Sequence, residues 1–119
     1  MTFDDKVRVL SDLYAAFNRR EIDRVLSALS PNVRWPNVLR HGELRGHAAV
    51  RAYWLAQFET IEPRVEPVQF EARQEGVAVR VQQIVTVKAT GHVTHSSVMH
   101  TYYFDEGLVA SMVVSPSSS

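Results

Sequence analysis

The sequence predicts an α+β domain in which three N-terminal helices pack on one face of a bent antiparallel sheet. Three observations carry that prediction. Apolar residues recur at helical spacing through the N-terminal half of the chain. From Arg64 onward the period changes to alternation, the signature of half-buried strands. That alternating half is cut at Glu75-Gly76, Thr90-Gly91 and Asp105-Glu106-Gly107, short glycine-containing breaks that signal hairpins. Helices followed by consecutive hairpins make a layered fold, helices against one face of the sheet.

The elements follow in order. Val7, Leu10, Leu13, Tyr14 and Phe17 form one apolar stripe of a first helix, with Thr2 or Asp4 placed to cap its start. Asn18 breaks the stripe, and Ile22, Val25, Leu26 and Leu29 form a second, shorter helix ended by Ser30-Pro31-Asn32. Val33-Arg34-Trp35 is a short strand stopped by Pro36, and segment 37–46, with two glycines and little periodicity, reads as a loop. Gly46-His47-Ala48-Ala49 opens a third helix that carries Val50, Tyr53, Trp54 and Phe58 and closes at Glu62-Pro63. Strands are expected over 65–74, 77–89, 93–104 and 108–114, joined as a meander. The chain, 1–119, reads as a single domain with a flexible tail at 115–119.

Composition removes several function classes. With no cysteine, a disulfide framework, a thiolate metal site and a cysteine nucleophile are excluded. The 13 basic and 13 acidic residues balance, so no field attracts nucleic acid or an anionic membrane. No apolar run approaches the ~20 residues that span a bilayer, and no signal peptide opens the chain, so a cytoplasmic protein is expected. No glycine-rich phosphate loop is present, and His95 and His100 have opposite parity on one strand, so no cofactor or metal is expected.

The candidate site begins at His100. Val98, His100, Tyr102 and Phe104 share one strand face, apolar except for one imidazole and one phenol. The preceding strand shows the same break, with Gln83 interrupting Val77, Val79, Val81, Val85 and Val87. A curved apolar sheet with a few inward polar groups describes a small-molecule pocket. His100 reads either as a general acid or base, or as a core histidine bonded to Gln83, Asn37 or a backbone carbonyl. Asn37 reads as a ligand contact or as a stabiliser of the turn after Pro36. Tyr14 places its hydroxyl in the mouth of the site or at the surface between helices, and Tyr102 is a partner for His100 or a ligand. Trp35, Trp54, Tyr53 and Phe58 read as the aromatic wall of a hydrophobic site or as plain core, with Trp35 favoured as wall and Phe58 as core. Trp54 and Met112 complete the expected lining.

These elements carry a resemblance to a known family. The helix–turn–helix at 14–23, the strand Val33-Arg34-Trp35-Pro36-Asn37, the stretch Leu44-Arg45-Gly46-His47 with its helix, and the closing Tyr103-Phe104-Asp105-Glu106-Gly107-Leu108-Val109 resemble the nuclear-transport-factor-2-like superfamily. Within it the chain is most similar to SnoaL-like proteins and ketosteroid isomerases, over 14–112. The resemblance implies a cystatin-like cone with a strongly bent antiparallel sheet, an apolar ligand in its open end, and a homodimer through the outer sheet face. That face offers Ile84, Thr86, Val93, Met99 and Tyr103. By the same resemblance the isomerase's base aspartate corresponds to Asn37, its oxyanion-binding tyrosine to Leu13, and its protonated aspartate to His100. An amide cannot accept a proton near neutral pH, so steroid delta-isomerisation lacks its base here. Neither the carboxylate of SnoaL-like cyclases nor the Asp-Arg-Asp set of this fold's epoxide hydrolases is found.

The expected function is therefore binding of a small apolar, carbonyl-bearing molecule such as a polyketide, terpenoid or steroid fragment. Cofactor-independent proton transfer of isomerase, cyclase or lyase type would then rest on His100. The alternatives are a non-catalytic binding or dimerisation module, and a scaffold whose cone is filled by its own side chains.

Overall fold

The computed structural model describes residues 1–38 and 42–116. Among them the order is α1 (Phe3–Asn18), α2 (Ile22–Ser27), β1 (Leu29–Pro36), β2 (Glu43–Arg45), α3 (His47–Thr60), β3 (Ile61–Arg73), β4 (Gly76–Val87), β5 (Val93–Asp105) and β6 (Leu108–Pro116). The helices pack against one six-stranded sheet of order β2-β1-β6-β5-β4-β3, which is not closed.

Helix α1 starts as its sequence dictates. Thr2 accepts from the Asp5 backbone N–H while the Asp5 carboxylate accepts from the Thr2 N–H, a reciprocal cap that satisfies two otherwise orphaned donors. Its stripe buries Leu10, Leu13, Tyr14 and Ala16. The far end is clamped to the sheet by Asn18, whose Nδ2 donates to the Val65 carbonyl (2.8 Å) and whose Oδ1 accepts from the Val65 N–H (2.9 Å). Arg20 covers Phe58 and donates to the Pro63 carbonyl, so the α1–α2 turn is tied to the same strand. Helix α3 begins at Gly46, where φ is +87°, a conformation glycine adopts without steric penalty.

Five sequence expectations are corrected. The sheet is mixed, not wholly antiparallel: β1 runs parallel to β6, pairing Leu29 with Val109 and Arg34 with Ser111. The first strand spans Leu29–Pro36 because Leu29 joins β6 instead of extending α2, and Pro31 is tolerated where β1 has no partner on the β2 side. Within the expected loop, Glu43–Arg45 forms β2, with Leu44 opposite Trp35; 39–41 lie outside the described residues. Helix α3 ends at Thr60, just ahead of the expected Glu62-Pro63, and β3 starts at Ile61 and not at 65; as an edge strand it leaves one side of Pro63 without ladder bonds. Two residues expected in the flexible tail belong to β6 instead. Ser115 and Pro116 pair with Met99 and Val98 in the sheet, and 117–119 are outside the described residues.

The long hairpins place the polar inner-face residues. Val79 stands opposite His100, Val77 opposite Tyr102, and Val81 opposite Val98. Gly76 makes the approach at Tyr102 possible, since a Cβ there would lie 2.2 Å from the Tyr102 carbonyl oxygen. Val77, Val79 and Val81 are fully buried, and they form β4's contribution to the core.

Candidate functional site

Between α1, α3 and the inner sheet face lies a cavity of about 250 Å³. Its buried floor is Leu13, Tyr14, Trp35, Trp54, Val65, His100, Tyr102 and Met112. Its rim includes Val38, Tyr53, Gln57, Ile61, Pro63, Gln83 and Val85. Aromatic edges build the wall: Trp54 meets Trp35 edge-on at 5.5 Å between centroids and Phe17 at 5.4 Å.

Seven of the eight expected site residues line this cavity: His100, Trp35, Tyr14, Gln83, Tyr102, Trp54 and Met112. Asn37 is the one outside the lining, which its neighbours Pro36 and Val38 provide. Its backbone N–H donates to the Gly42 carbonyl at 2.9 Å, closing the turn between β1 and β2.

His100 is bonded to none of the partners expected for it. Its Nδ1 lies 2.8 Å from the Tyr14 hydroxyl, and that hydroxyl lies 2.8 Å from the hydroxyl of Tyr102. Gln83 instead accepts from Ser96, its opposite number on β5. Tyr14 sits one helical position beyond the residue matched to the isomerase tyrosine. It nevertheless delivers its hydroxyl to the floor beside Leu13.

The direction of this chain follows from hydrogen-bond accounting. The Tyr102 hydroxyl is buried and has no other partner among the described residues, so its proton is satisfied only by donation to Tyr14. The Tyr14 oxygen is then an acceptor, and its own proton must go to Nδ1 of His100. A neutral imidazole that accepts at Nδ1 carries its proton on Nε2. The reverse direction would strand a buried hydroxyl proton, which costs roughly 1–3 kcal/mol.

Burial keeps all three groups uncharged. Desolvation lowers the His100 pKa to about 4, so the ring is neutral near pH 7. Desolvation, reinforced by the neighbouring Tyr102, raises the Tyr14 phenol well above its usual range, and desolvation raises Tyr102 as well. At the cavity floor the protein thus presents a neutral Nε2–H donor in an apolar wall. Tyr53, expected as part of an aromatic wall or as core, stands at the rim. Gln57 escaped the sequence reading, although its spacing of four from Tyr53 places both on one helix face. Among the described residues no three His, Asp or Glu side chains gather as a metal-ligand set. No helix among them is long and apolar enough to cross a membrane.

Comparison with known proteins agrees with this architecture. A crystal structure of a nuclear-transport-factor-2-like protein of unknown function from Burkholderia pseudomallei superposes with a TM-score of 0.86 at 27% identity, covering 98% of this chain and 92% of that one. TerC, co-crystallised with polyporic acid, superposes with a TM-score of 0.82 at 20% identity, covering 95% and 92%. A polyketide-cyclase candidate from Pseudomonas putida gives 0.81 at 16% identity, covering 92% and 89%. At those last two identities the likeness shows the fold alone. No curated protein matches significantly. The family model for the SnoaL-like domain matches residues 10–112, and the chain therefore belongs to the SnoaL-like domain family.

Proposed function

We propose that the protein binds a small apolar molecule through a carbonyl oxygen, which accepts a hydrogen bond from Nε2–H of His100. The observation that carries this reading is the one-way chain from Tyr102 through Tyr14 to His100, which leaves the imidazole a donor at the cavity floor. An apolar cavity of about 150 Å³ holds one benzene ring, so about 250 Å³ suits a molecule of roughly two rings.

A donor aimed at a carbonyl stabilises the enolate that forms when an α-proton passes to solvent water at the rim, and water returns a proton to the same carbon when the enolate collapses. His100 then acts as an electrophile in cofactor-independent proton transfer, and its low pKa and occupied Nδ1 suit it poorly to the role of base. Among the described lining residues there is no Asp or Glu. That observation favours a second reading, a non-catalytic carrier in which the same bond only holds the ligand.

One experiment separates the readings. The probe is 1-tetralone, a two-ring ketone, with binding followed by calorimetry and α-deuterium exchange followed by NMR in heavy water. Binding with accelerated exchange, both reduced in His100→Ala, supports the enzyme. Binding without exchange supports the carrier, and failure to bind tetralone up to its solubility removes both. For the assembly we propose a homodimer through the outer sheet face, where Val93, Tyr103 and Val113 are exposed beside Met99 and Ile84.

A further inference from the structure

The Tyr53 hydroxyl, at the rim of the cavity, has unusual surroundings. Its oxygen accepts from the Val38 backbone N–H (3.2 Å) and from Gln57 Nε2 (3.1 Å). Two donors occupy the acceptor positions of a phenol oxygen, which leaves its own proton to be donated. Among the described residues no acceptor meets that proton, and Tyr53 lines the cavity. Val38 and Gln57 therefore act as a mount that fixes the hydroxyl oxygen and orients the O–H.

The other polar side chains of the lining tell the same way. His100 offers Nε2–H, and Gln83 accepts from Ser96 at Oε1, which leaves its amide protons open. The indole N–H groups of Trp35 and Trp54 meet no acceptor among the described residues, whereas Gln57 Oε1 is an open acceptor beside Tyr53. Open donors outnumber open acceptors in an uncharged apolar pocket. A ligand with a single carbonyl would satisfy the floor and leave the rim unpaired.

We infer that Tyr53 is a second ligand-anchoring donor and that the site is built for a small dicarbonyl, one oxygen on His100 and the other on Tyr53. This rests on the carbonyl-binding reading above and adds the substrate class. Gln57 Oε1, next to the rim oxygen, accommodates a hydroxyl substituent or a water there.

The test compares two ligands of similar size against three proteins by calorimetry. The ligands are 1-tetralone, with one carbonyl, and 2,3-dimethyl-1,4-naphthoquinone, with two carbonyls and no free position for addition by a nucleophile. Wild type should bind the dione about 10-fold more tightly than the ketone, the worth of one net hydrogen bond. Tyr53→Phe should erase that preference while leaving tetralone affinity within about 2-fold, and His100→Phe should weaken both ligands. Thermal unfolding of Tyr53→Phe checks that its mount remains folded, since unchanged tetralone affinity is not expected of a collapsed rim. Equal loss for both ligands in Tyr53→Phe, or no loss for either, overturns the dicarbonyl inference and leaves the carbonyl reading standing. Failure of wild type to bind either ligand overturns both.

Discussion

The hydroxyl of Tyr102 lies 2.8 Å from that of Tyr14, and through it the deepest phenol of the core sets the tautomer of an imidazole it does not hydrogen-bond. Tyr102 is a dead end, with one hydrogen-bond partner among the described residues and 1% exposure. A proton held there propagates its direction along the chain. The donor character of His100 is thus encoded by a residue two positions away on the same strand face.

Tyr102→Phe removes that polarity. Tyr14 is then free to accept from Nδ1–H, and the imidazole becomes a mixture of tautomers. Two-bond nitrogen–proton NMR should show a single Nε2–H form in wild type and an averaged pattern in the variant. The stability loss should be about 1 kcal/mol, since a hydrogen bond is lost without creating a cavity. An unchanged single tautomer in the variant would mean that something other than Tyr102 sets the direction.

The buried imidazole also makes folding pH-dependent. Its folded pKa, about 4, lies below the ordinary value of 6.5, so between those values the unfolded chain binds a proton that the folded chain refuses. Stability is therefore fully present above pH 6.5, falls as pH drops toward 4, and levels off below. The span amounts to at most about 3 kcal/mol. Urea unfolding from pH 7.5 to 3.5 should show that slope in wild type and lose it in His100→Asn; parallel curves for the two proteins would contradict it.

Asn18 substitutes for a neighbouring strand, reading both backbone groups of Val65. Asn18→Ala should cost roughly 2 kcal/mol, two net hydrogen bonds to a half-buried edge. Hydrogen exchange at the Val65 amide should accelerate selectively in the variant. Exchange that rises evenly along β3 would point to loosening of the whole edge and not of this clamp.

Leu13 is shared by two cavities, the one described above and a second of about 270 Å³ between α1, α2 and the β5–β6 turn, where Asp12 and Arg24 also lie. Leu13→Ala should destabilise the protein by about 2–4 kcal/mol, as large-to-small core changes do. It should also let the floor accept a ligand one ring longer. Calorimetry with two- and three-ring ketones reads the change, and unaltered size selection would show that another residue still separates the spaces.

How much of this was legible in the sequence depends on range. Alternation and glycine breaks located β3 to β6, because both signals are local, and the shared face of His100 and Tyr102 follows from parity alone. The β1–β6 pairing was not legible, since nothing near Leu29 records that Val109 will lie beside it. The Tyr14–His100 bond was missed for a similar reason: 86 positions separate the two residues. On a helix, moreover, adjacent residues point about 100° apart, so choosing between Leu13 and Tyr14 needs the packed geometry. Prolines misled where edge strands could absorb them, at Pro31 and Pro63.

The parallel strand β1 carries Trp35 to the cavity and is held by β6, with the Val109 N–H bonded to the Ala28 carbonyl at 2.9 Å. Trp35 and Met112 face the same space only after that long-range pairing has formed. Contacts of such sequence separation close late, after the local hairpins and helices have paid the cost of looping the chain. During synthesis, then, the ligand site has no precursor. The α1–α2 unit and the β3–β4 hairpin join residues near in sequence, but the pocket lining is complete only once β6 lies between β1 and β5. A ligand present in the cell can assist only that final step, and a chain stalled before β6 would be recognisable by its inability to bind anything.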